Sequence, residues 1–143
     1  MAEYVALSGS ANAGEAIVLT DSTPCTKRLI IHRNDSGILT IRGRVENPCS
    51  QFARYEIKYF GNIAVAEGGT PGEISLAIAV GGEVLPITIS RVTPTVAGAY
   101  YAVSSARYLE VPVGCCYNVS IVNNSDQAID YNDLNVIVTR ISA

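Results

Sequence analysis

Catalysis in this chain would have to come from one histidine, four cysteines and a scatter of carboxylates. His32 lies in Lys27-Arg28-Leu29-Ile30-Ile31-His32-Arg33, an apolar run that reads as a strand. Alternation along a strand sends Ile31 and Arg33 to the opposite face. A Ser/His/Asp or Cys/His site needs a base beside a nucleophile in a cleft. Nothing in the spacing supplies one, so His32 is expected as a half-exposed strand residue or a subunit contact. Glu46, Glu56, Glu67, Glu73, Glu83 and Glu110 occur singly. Glycoside hydrolysis needs two carboxylates converging on one bond, roughly 5–9.5 Å apart, and no motif marks such a pair. Asp126, Asp130 and Asp133 carry oxygens suited to Ca²⁺ but lack the regular calcium-loop pattern, and read as a solvated loop. Gly68-Gly69 and Gly81-Gly82 match no phosphate-binding loop and read as turns. The expectation is a protein that is not an enzyme, with no catalytic residue, no cofactor and no metal.

Cys25, Cys49, Cys115 and Cys116 allow three pairings, and sequence does not choose among them. Cys25 and Cys49 flank a hairpin and can lie close, which leaves a disulfide open; buried small hydrophobes are the plainer expectation for all four. Adjacent cysteines such as Cys115 and Cys116 rarely wrap one zinc ion. Three Asn-x-Ser/Thr sequences, starting at Asn34, Asn118 and Asn123, read as turn chemistry.

The 143 residues are 48% hydrophobic and 16% charged, and the mean hydropathy is +0.25. Soluble domains average roughly 25% charge, so this composition excludes disorder. No run approaches the roughly 18 uninterrupted apolar residues of a membrane helix. A net charge of −3 with no basic cluster argues against nucleic-acid binding. An apolar, weakly charged chain of one-domain size suggests a surface partly covered by other chains. Met1–Leu7 lacks the basic and apolar regions of a signal peptide, so synthesis and folding in a reducing cytoplasm are expected.

Amphipathic helical periodicity is absent, and period-2 runs separated by turn clusters fill the chain. Residues 1–15, rich in small polar types, read as a flexible arm ahead of a single β-sandwich domain over 16–143. Strands are expected over Ala16–Thr20, Lys27–Arg33, Ile38–Arg42, Arg54–Ile63, Glu73–Val80, Val84–Val92, Ala99–Val111, Cys116–Val122 and Leu134–Ile141. About nine strands with short loops imply an antiparallel β-sandwich or barrel. In Glu73–Val80, the small residues Ser75, Ala77 and Ala79 share a face that invites close approach by another layer. Leu134, Val136 and Val138 lie on one side of the last strand, with Ile137 and Ile141 on the other. A strand apolar on both faces is buried on both, either centrally or at an oligomer axis. Those five residues are the expected subunit interface if the strand lies at such an axis. Eight tyrosines, two phenylalanines and no tryptophan mark contact surfaces or core rim. Tyr100, Tyr101 and Tyr108 are the expected surface contacts.

Three runs carry a family resemblance: Glu73–Gly82 as strand and hairpin, Leu109-Glu110-Val111-Pro112-Val113-Gly114 leading into a strand and then Asn123-Asn124-Ser125, and the aliphatic ending Leu134–Ile141. Together they resemble the jelly-roll heads of the TNF/C1q-like superfamily over roughly residues 50–143. The resemblance implies a compact homotrimer with the last strand near the threefold axis, and no enzyme. The chain departs from the family in lacking a Gly-X-Y stalk and in placing extra strands in its first 50 residues. It is also similar to small virion structural proteins of phages that infect gut bacteria. That similarity implies a trimeric decoration protein on the outer capsid surface, made in the bacterial cytoplasm. Its partners would be itself and the major capsid protein or another virion protein, with no nucleic acid and no membrane. The alternative is a receptor- or glycan-binding head of a fibre or cell surface.

Overall fold

Two antiparallel sheets face each other across one apolar core in the computed structural model, which describes residues 2–19, 21–22, 29–32, 36–45 and 48–142. Among these, the strands are β1 (Ala2–Ala11), β2 (Asp21–Ser22), β3 (Ile30–His32), β4 (Leu39–Arg42), β5 (Phe52–Val65), β6 (Ile74–Val80), β7 (Glu83–Val84), β8 (Ser90–Val92), β9 (Tyr101–Pro112), β10 (Cys116–Asn123) and β11 (Ile129–Ser142). One sheet runs β2-β1-β11-β5-β9; the other runs β3-β4-β10-β6-β7, with β8 also paired to β6. The all-β sandwich expected from the period-2 runs is the observed fold.

The alternation that defines the strands also decides the core. On β5, Ala53, Tyr55, Ile57 and Tyr59 face inward, and on β11 Leu134, Val136 and Val138 do the same; all are buried. β6 is buried on both faces, its small residues Ser75, Ala77 and Ala79 included. Gly81 and Gly82 hold φ of 60° and 85°, the positive values that a two-residue turn between Val80 and Glu83 requires.

Residues 2–11 are not an arm. They form β1, paired with β11 from Ala2 opposite Val138 to Ala11 opposite Ile129. Tyr4, Ala6 and Ala11 are buried in the core. The small residues of Ser8-Gly9-Ser10 have a packing reason: a Cβ on Gly9 would lie 2.6 Å from the Tyr131 hydroxyl. Smallness at this point makes room for an aromatic ring and does not mark a loop.

The expected strand Val84–Val92 is interrupted. Pro86, which has no N–H to give, opens a 3-10 turn at Pro86–Thr88. Thr88 then turns inward and replaces the missing ladder contacts. Its Oγ1 accepts from the Ile78 N–H at 2.9 Å and lies 2.7 Å from the Leu85 carbonyl. Ala16–Thr20 is likewise not a strand over its described part; it makes isolated bridges, Ala16 to Val122 and Leu19 to Ser36.

Two tyrosines tie the sheets together. The Tyr59 hydroxyl lies 2.9 Å from the Leu76 carbonyl and 3.0 Å from the Thr88 carbonyl, so its one proton is shared between two buried acceptors of the opposite sheet. Tyr55 donates to the Arg42 carbonyl at 2.6 Å, with the Arg140 guanidinium carbon 5.7 Å from its ring centre. Burial pushes the Tyr59 phenol far above its ordinary value of 10.0, the Ser90 backbone N–H pulling weakly the other way.

Candidate functional site

The outer face of the β1-β11-β5-β9 sheet collects the residues best placed for contact with another molecule. Cross-strand register defines its rows. Val5, Asn135, Phe60 and Ser104 lie side by side; next come Glu3, Ile137, Lys58 and Ala106, and then Thr139, Glu56 and Tyr108. Phe60 is 44% exposed and Tyr108 66%, with Ile137 half-buried between them. Charge on this face is partly neutralised within it. Lys58 Nζ is 3.7 Å from Glu56, and Arg54 is 2.9 Å from Glu110.

The five expected interface residues divide by strand parity. Leu134, Val136 and Val138 point into the sandwich and are fully buried by this chain alone, so they are core and not available to a neighbour. Ile137 and Ile141 point outward, Ile141 being 47% exposed. The face reverses at Asp133, where β11 bulges opposite β5 and Asp133 takes φ of 50°. Gly61 makes that bulge possible, because a Cβ there would sit 2.8 Å from the Leu134 Cα. Of the expected surface tyrosines, Tyr108 lies on the outer face, whereas Tyr100 and Tyr101 sit at the far end of β9. Seven residues of strand separate Tyr101 from Tyr108, about 24 Å, so they do not make one patch. Phe60, Phe52 and Val5 escaped the sequence reading. Phe60 was legible as an apolar residue on the polar side of β5, the side set by Glu56 and Lys58.

Residues considered for catalysis are held apart. His32 packs against Tyr4, ring centres 4.8 Å apart and planes tilted by 58°, and its Nε2 is 2.8 Å from the Ser36 carbonyl. It is half-buried in the strand. Glu110, Glu56 and Glu73 each face a basic side chain. Among the described residues no three His, Cys, Asp or Glu gather where an ion would bind. Asn123 is buried and structural: its amide donates to the Ala11, Asn12 and Gln127 carbonyls and ties the β10–β11 turn to the end of β1. The described cysteines, Cys49, Cys115 and Cys116, are exposed, contrary to the expectation of buried small hydrophobes. Cys25 lies outside the described residues.

No family model matches this sequence, and no curated protein does. Solved structures do match. The globular domain of zebrafish complement 1qA protein aligns with 95% of this chain and 94% of its own, at 11% identity and a TM-score of 0.59. This chain has the fold of a C1q-like jelly-roll head. Two carbohydrate-binding domains align more loosely. One is the EclA C-terminal domain, a sugar-binding protein, at 12% identity and a TM-score of 0.38, over 80% of this chain and 87% of its own. The other is the CBM22-1 xylan-binding domain of Paenibacillus barcinonensis Xyn10C, at 12% identity and 0.35, over 94% and 87%.

Proposed function

We propose that this chain is a non-enzymatic structural head that assembles as a homotrimer through the outer face of the β1-β11-β5-β9 sheet and decorates a phage capsid. The observation that carries the reading is the group of exposed Phe60 and Tyr108 and half-buried Val5 and Ile137 across three successive rows of that face. Four strands about 4.8 Å apart and ten residues long present roughly 650 Å² of flat sheet. A specific interface takes about 800 Å² per partner, so this face with its rim is close to sufficient. The apolar side chains would form the dry centre, with Glu3, Glu56 and Lys58 as polar surroundings. Attachment to a capsid rests on analogy with phage virion proteins, and threefold display would multiply a weak contact through avidity.

A receptor- or glycan-binding head is the second reading. Tyr100, Tyr101 and Val96, all exposed around the start of β9, favour it. Light scattering after size exclusion tests assembly first. A species of about 45 kDa, three times the 15.1 kDa chain, supports the trimer, and a 15.1 kDa species refutes it. Co-sedimentation of the trimer with purified capsids lacking it then separates decoration from glycan binding, which a glycan panel would report.

A further inference from the structure

A ring of three joins unlike surfaces: each copy offers one patch to one neighbour and a different patch to the other. The outer face of the β1-β11-β5-β9 sheet is therefore one half of a contact. The other half must adjoin it around an edge of the sheet, and the flank beside β9 supplies it. Ile87 stands there on the 3-10 turn at the edge of the second sheet, 73% exposed, the most exposed large apolar side chain among the described residues. Its backbone is held rigidly. The neighbouring Thr88 gives its N–H to the Leu85 carbonyl at 2.9 Å, takes the Ile78 N–H on its Oγ1 at 2.9 Å, and accepts from the Tyr59 hydroxyl on its carbonyl at 3.0 Å. Pro86 fixes φ on the other side. Arg107, on the core-facing side of β9, opens onto the same flank; it is exposed and pairs with no carboxylate among the described residues. On the opposite flank Ile31 alternates with inward Ile30 and His32 and points away from the first sheet.

We infer that Ile87 is the knob by which one copy seats on the next, entering the neighbour's outer face between Asn135 and Ile137; this rests on the threefold assembly proposed above. Rotation about an axis along the strands keeps each residue's height and its distance from the axis. The bond from Tyr59 to Thr88 sets the height of the turn, and Tyr59 lies between Phe60, in the Asn135 row, and Lys58, in the Ile137 row. The distance agrees as well. β9 forms the corner between the two patches and so lies nearest the axis. Ile87, on the opposite sheet, stands about 10 Å from it, and β11 lies two strand spacings away, about 9.6 Å. The landing point is marked independently. Asn135 Oδ1 is buried with no hydrogen-bond partner, although its Nδ2 reaches Glu3 Oε1 at 3.4 Å. A stranded acceptor is costly, and a donor from a second chain would relieve it. Arg107 falls at a height between the rows of Glu3 and Glu56, the carboxylates of the receiving face, so the charges around the contact are opposite. A rigid aliphatic side chain loses little freedom on docking, which makes Ile87 the anchor of the contact.

Light scattering of the wild-type full chain comes first. A 15.1 kDa species at every concentration would remove the trimer and this contact with it. Where the wild type is trimeric, Ile87→Glu should give a 15.1 kDa species whose circular dichroism and thermal midpoint match the wild type, because the side chain lies on the surface of a lone chain. The milder Ile87→Ala should raise the concentration of half-dissociation by about tenfold or more, and it carries the test if Ile87→Glu misfolds. Position is read directly by combining Ile87→Cys with Ile137→Cys. Oxidation should link the copies into covalent trimers, with a bond between positions 87 and 137 located by peptide mass mapping, and Ile137→Cys alone should yield no linkage at position 137. A trimer that withstands both Ile87 variants, or one whose thiols at 87 and 137 do not join, would leave the assembly standing and overturn the role of Ile87.

Discussion

Replacing Tyr59 with phenylalanine removes one oxygen from the centre of the sandwich and leaves the ring in place. In the native protein that hydroxyl serves the Leu76 and Thr88 carbonyls, both buried, at the point where the 3-10 turn breaks the β6 edge pairing. Losing a buried donor costs the net value of the bond plus the desolvation of a stranded acceptor, about 1–3 kcal/mol in total. The midpoint of thermal unfolding should fall by about 6 °C for about 2 kcal/mol in a chain of this size. Alkaline pH provides an independent readout. The Tyr59 phenol is raised above 10.0 in the folded state by burial. Its contribution is then fully present below about pH 10 and is lost as pH rises above it, because the unfolded phenol ionises first. Wild type should lose up to about 1.4 kcal/mol per pH unit more steeply than Tyr59→Phe in that range. Urea unfolding at fixed protein concentration, from pH 7 to pH 11, measures both effects. A variant as stable as wild type at pH 7, or a stability gap that stays constant above pH 10, would refute this account of Tyr59.

Three further outcomes follow from the same geometry. Ile137→Asp places a charge at the middle of the proposed assembly face but on the surface of a lone chain, so light scattering should show a folded 15.1 kDa species; a persistent trimer would remove this face from the interface. Gly61→Ala pushes a methyl against the Leu134 backbone at the bulge and should cost about 1–3 kcal/mol by denaturant unfolding. Deleting residues 2–11 takes Tyr4 and Ala6 from the core and exposes the edge of β11, so the product should aggregate or unfold rather than yield an intact head, as sedimentation would report.

The strands whose faces differ in character were legible in the sequence. β5 and β6 announce themselves by alternation, and Gly81-Gly82 announces the hairpin between β6 and β7. β1 was hidden because its small residues answer to Tyr131, more than a hundred positions away, and composition alone reads them as loop. Pro86 within Val84–Val92 was a local warning of a break, since proline cannot donate to a ladder; the rescue by Thr88 depends on a contact with Ile78 that spacing does not show. At the candidate interface, alternation divided Leu134, Val136 and Val138 from Ile137 and Ile141 correctly, but an aliphatic strand does not say which side meets its own core. The bulge at Asp133, seated on Gly61 of another strand, determines that.

The pairing of β1 with β11 has a consequence for how the molecule comes into being. Ala2 is synthesised long before its ladder partner, Val138. β1 must remain without this partner until β11 has been synthesised. Closing so large a loop adds to an already non-local topology and slows folding. Through that interval a nascent chain carries an unpaired strand with apolar residues at Tyr4, Val5 and Leu7, able to invade the open edge of a neighbouring copy's β11. Chains emerging together from one message would thus be prone to exchange β1, and the correct closure of each sheet depends on β11 arriving before a neighbour does.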